Sequence, residues 1–82
     1  MSDPLKIEYH LKSLPYLFRV SAIRENLFSK DVVGWNVSSS SSIRKEYSIY
    51  RIKKEIEENN LPLRIEERDD EFSLTRFQVY LT

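Results

Sequence analysis

The chain has 82 residues, 40% of them apolar and 32% charged, and no cysteine. Those values suit one small globular domain with a modest core, and they exclude a disulfide framework, a thiol nucleophile and a zinc–thiolate site. Thirteen bases against thirteen acids leave no net charge, so nothing draws the whole molecule to nucleic acid or to an anionic bilayer.

The first predicted element is "LKIEYHLK", residues 5–12, where Leu5, Ile7, Tyr9 and Leu11 alternate with Lys6, Glu8, His10 and Lys12. A period of two predicts a half-buried strand, with His10 outward as a solvated imidazole. Residues 16–28 satisfy both a strand and a helix pattern. Their opening, "YLFRV", favours strand, and "KSLP" before it suits a hairpin loop. Residues 31–37, "DVVGWNV", are again β-rich, and the only glycine, Gly34, marks a bulge or a close backbone approach.

Residues 38–42 are five serines, a flexible connector whose last member, Ser42, is placed to cap a helix over about residues 42–60. Asn59, Asn60 and Pro62 stop that helix. The remaining residues predict a terminal hairpin turning at Arg68, Asp69 and Asp70. Its second half changes parity between Phe72 and Leu74 and the set Phe77, Val79 and Leu81, as a bulge near Thr75 and Arg76 would produce. The resulting order, β-β-β-α-β-β, predicts an α+β fold: an antiparallel sheet with one main helix across a face. If residues 14–28 are helical, the order is β-α-β-α-β-β.

The inventory for catalysis is thin. His10 is the only imidazole, no glycine-rich loop exists to cradle phosphate, and the serines have no other base to activate them. The acidic run at residues 66–71 lacks the alternating ligands and central glycine of a calcium loop, and Arg68 puts a positive charge inside it. No enzyme, metal or cofactor is expected.

The helix is more informative. At 100° per residue, Ile49, Ile52 and Ile56 form a core stripe. Ile43, Tyr47 and Tyr50 fall on the opposite side, with Lys54 among them and Arg44 and Arg51 along a border. The charges run against the helix dipole, with Arg51, Lys53 and Lys54 preceding Glu55, Glu57 and Glu58. Base-before-acid pairs are the weaker orientation and contribute only a few tenths of a kcal/mol, so another influence must order them. An acidic surface facing the basic half would do so. Residues 66–71 are the nearest candidate, then a partner protein or a phosphate backbone.

These features predict a small non-catalytic interaction module, such as an inhibitor, adaptor or accessory subunit, in the cytoplasm. Its recognition surface is Ile43, Tyr47, Tyr50, Arg51 and Lys54, facing an acidic protein. Self-association through a sheet edge is a second route, with the weakly protected final strand as that edge. Ser42, Arg44 and Lys45 form a candidate anion or phosphate site at the helix start. The competing reading is nucleic-acid binding, with tyrosines on bases and Arg44, Lys45, Arg51, Lys53 and Lys54 on phosphates. The acidic residues after position 54 oppose it.

Overall fold

A computed structural model of the chain describes residues 3–40, 42–66 and 75–82. The elements are α1 (Pro4–Lys12), β1 (Leu17–Arg24), β2 (Val32–Ser39), α2 (Lys45–Asn59), β3 (Leu63–Glu66) and β4 (Arg76–Leu81). The α+β class and the antiparallel sheet with its main helix are as the sequence predicts. One element differs: residues 4–12 form a helix where alternation predicts a strand.

The reason is local. Asp3 is extended and its carboxylate accepts a hydrogen bond from the Leu5 amide at 3.0 Å. Pro4 comes next, at the first helical position, where its missing N–H costs nothing. In a helix Ile7 and Leu11 are four apart and both turn inward, while Leu5 and Tyr9 turn to solvent. Glu8 and Lys12 pair at 3.4 Å in the favourable acid-before-base order. Nine residues cannot hold a helix unaided, and packing of Ile7 and Leu11 into the core completes it.

The sheet order is β1-β2-β4-β3, antiparallel throughout. β4 therefore lies inside the sheet, between β2 and β3, and is not the edge the sequence predicts; the edges are β1 and β3. A terminal strand becomes central because β2 and β3 flank it in a split β-α-β unit. Read cyclically, with the last strand placed first, the element order becomes the β-α-β-β-α-β of ferredoxin-like folds. The predicted turn at Arg68, Asp69 and Asp70, and the positions of Phe72 and Leu74, lie outside the described residues.

One face of the sheet is covered. Trp35, Val37, Phe77, Val79 and Leu63 point towards the helices and meet Ile7, Leu11, Ile49 and Ile52 in one core. α1 packs chiefly over β1, and α2 over β2 and β3. The buried Trp35 indole donates to Glu8 of α1 at 3.0 Å, and a buried hydroxyl pair, Ser39 to Ser48 at 2.6 Å, ties β2 to α2. Gly34 sits where backbones approach closely: a methyl group there would lie 2.5 Å from the Val79 carbonyl oxygen and 2.8 Å from the Tyr80 ring.

The opposite face carries Ser21, Asn36, Ser38, Arg76, Gln78 and Tyr80, with no helix over it among the described residues. A shallow depression of about 580 Å³ lies there, lined by polar side chains such as Arg19 and Asn36. Its amides are already engaged, since Gln78 donates to Asn36 at 3.1 Å.

Candidate functional site

α2 presents the predicted two-sided helix. Ile49 and Ile52 are buried and Ile56 packs against the core. Tyr47 and Tyr50 stand half in solvent, 46% and 53% exposed. Ile43 is different: it precedes the helix, is half-buried and packs on the core, so it does not join the tyrosine face.

The two cations beside the tyrosines are held by them. The Arg51 guanidinium donates to the Tyr47 hydroxyl at 3.0 Å and lies 5.9 Å from the Tyr47 ring centre and 5.4 Å from that of Tyr16. Lys54 Nζ lies 5.0 Å from the Tyr50 ring centre. Both cations come four residues after their tyrosine, one turn along the helix, where side chains meet. Hydrogen bonding to tyrosine raises both ionisations above their ordinary values, so both remain charged.

The second helix accounts for part of the reversed charge order. Lys6 and Ile7 of α1 lie near Asn59 and Leu61, His10 contacts Glu55, and Tyr16 lies beneath Arg51. The two helices thus run alongside in opposite directions. The Glu55 carboxylate reaches α1, meeting His10 Nε2 at 2.9 Å, and also accepts from Asn59 of α2 at 2.9 Å. Of the acids late in α2, Glu55 is the one that meets α1. His10 is therefore a half-buried bridge between helices, where the strand reading predicts a solvated ring.

Tyr16 lies at the root of this face. It is buried, and its ring meets that of Tyr47 edge-on at 6.5 Å. Among the described residues no polar atom reaches its hydroxyl. Burial, and then the negative charge of Glu55, push its ionisation up to about 12, against the opposing pull of Arg51.

The residues of the predicted anion site stand at the entry to α2 and along its first turn. Arg44 occupies the cap position and supplies no side-chain hydrogen bond to the helix. Ser42 lies two residues upstream, and its hydroxyl contacts that of Ser40 at 3.4 Å. Lys45 is the first helical residue and is half-buried. The acidic run proposed to face Arg51 and Lys54 lies mostly outside the described residues, and Glu66 pairs with Arg64 at 3.5 Å.

Sequence reasoning misses Leu5 and Tyr9, exposed on α1. The signal is present in the Asp3-Pro4 start, which caps a helix and predicts a 3.6-residue period for residues 5–12. Among the described residues no helix is long and apolar enough to cross a membrane. No protein-family model matches the chain, and no curated protein and no solved structure matches it.

Proposed function

We propose that the chain is a small non-catalytic interaction module of the cytoplasm, which binds an acidic protein surface through Tyr47, Tyr50, Arg51 and Lys54. The observation that carries this reading is two large rings held half in solvent, each with a cation fixed against it. Tyrosine offers contact area at low entropic cost, and a side chain already held in place loses less freedom when a partner arrives. Arg44 and Lys45 extend the positive field along the entry to the helix.

Two local features support the same surface. Arg44 stands at a cap position where serine or aspartate would add about 1 kcal/mol of stability. The helix also begins with bases, against its dipole. Positions that give up local stability are where function is expected. His10, the only imidazole, is engaged by Glu55 and holds two helices together, which fits a structural role.

The test is capture of partners from native lysate by the full chain, with and without nuclease, across a salt series. A salt-tolerant protein partner, lost in Tyr47→Ala/Tyr50→Ala and weakened at least tenfold in Arg51→Gln/Lys54→Gln, is the expected result. Retention of the same partner by both double variants defeats the assignment. Binding that vanishes with nuclease, or falls steeply with salt, would transfer the surface to nucleic acid.

A further inference from the structure

We propose that two copies of this chain pair along the free edge of β1, joining their sheets across a two-fold axis near Ser21. β1 is an eight-residue strand hydrogen-bonded on one side only, to β2. Among the described residues none pairs with its other side, whose backbone groups are the standard template for strand addition. The helical layer stops short of it. Ala22 pairs with Trp35 and so points to the helix side, yet it is exposed, and Val20 is only half-buried.

The apolar residues left uncovered around this strand have a common explanation. Phe18, 75% exposed, sits in an irregularity at one end of β1. Leu27 and Phe28, 94% and 96% exposed, sit in the turn beyond the other end. That turn is built in advance of any contact. Asn26 Oδ1 accepts from the Phe28 amide at 2.9 Å, the Ser29 hydroxyl accepts from the Asp31 amide at 3.0 Å, and the Glu25 amide reaches the Asp31 carbonyl at 3.3 Å. An antiparallel two-fold axis brings opposite ends of a strand together, so the Leu27–Phe28 tip of one copy falls beside the Phe18 end of the other. One symmetry operation covers all three side chains, twice.

Side-chain parity selects the register. Residues opposed across two antiparallel strands share a face, so the axis passes through a residue. Ser21 is the midpoint of the regular stretch 19–23. With the axis there, Val20 of one copy opposes Ala22 of its partner on the helix side. Arg19 opposes Ile23, and Phe18 opposes Arg24, whose guanidinium can lie on the ring. No like charges are opposed. Arg19 and Arg24, which would discourage indiscriminate pairing at this edge, are accommodated by the chain's own sequence, which is why the occupant is a second copy.

The pairing involves none of the α2 surface proposed above, and its readouts do not depend on it. Size-exclusion chromatography with light scattering should give, at high concentration, twice the 9.8 kDa of one chain. Leu27→Ser/Phe28→Ser should weaken the dimer at least tenfold with an unchanged circular-dichroism spectrum. Because the chain lacks cysteine, Ser21→Cys gives a single thiol, and a short bis-maleimide should link it to its partner efficiently. Glu57→Cys on α2 should not link. A single-chain mass at every concentration overturns the proposal, including the case where the tip instead captures phospholipid vesicles. So does a dimer in which Ser21→Cys links no better than Glu57→Cys, or one indifferent to loss of the tip.

Discussion

Tyr16 combines the residue-scale features of this molecule: a buried ring, a hydroxyl without a partner among the described residues, and a cation above it. An unsatisfied buried hydroxyl costs about 1–3 kcal/mol, so Tyr16→Phe should leave stability at neutral pH unchanged or higher. The alkaline limb should also differ. The folded protein holds the phenolic proton up to about pH 12, whereas the unfolded chain releases it near pH 10. Between those values the unfolded state binds fewer protons, so stability present below pH 10 is lost as pH rises, by up to about 2 kcal/mol. Denaturant titrations from pH 9 to 12 should show a steeper fall for the wild type than for Tyr16→Phe; parallel curves would refute this account. Gly34 and Trp35 belong to the same scale. The first is required by a carbonyl and a ring pressed against it, and the second is tied down through Glu8.

The two helices differ at the scale of the element. α1 has a made cap in Asp3, and α2 has none. Asp3→Ala should therefore cost about 1 kcal/mol, and Arg44→Asp should gain a similar amount, read as opposite shifts in the urea midpoint at constant slope. If Arg44 serves the partner surface, its substitution should weaken binding while stabilising the fold. α2 is legible in the sequence because its isoleucine stripe spans two turns and its stop, Asn60, adopts the left-handed backbone (φ 51°) that asparagine tolerates. α1 escapes the periodicity argument because, over a stretch this short, all four alternating residues satisfy a strand while two of them, Ile7 and Leu11, suffice for a helix. The cap decides between them, and Asp3-Pro4 states it. β1 is ambiguous from the same cause. Its choice of strand comes from pairing with β2, which no local pattern contains. Periodicity alone places Tyr47 and Tyr50 outward correctly; it misplaces Ile43, because the helix starts after that residue.

In the molecule as a whole, the unequal position of the strands sets where stability resides. β2 and β4 are paired on both sides and bury Trp35, Val37, Phe77 and Val79, while β1 and β3 are edges. At concentrations too low for pairing along β1, native-state hydrogen exchange should find the amides of Val37 and Val79 among the slowest, and those of Ser21 and Arg64 faster by several orders of magnitude. Equal protection across the sheet would contradict the strand order. Local pattern is enough for the α+β class, the two-sided helix and the terminal strand pair, because periodicity, caps and breakers act over a few residues. The central place of the last strand, the bridge from His10 to Glu55 and the open edge of β1 come from tertiary contact instead. Those outcomes depend on which distant segments meet, and that is settled by burying Trp35, Leu11 and Ile52 together.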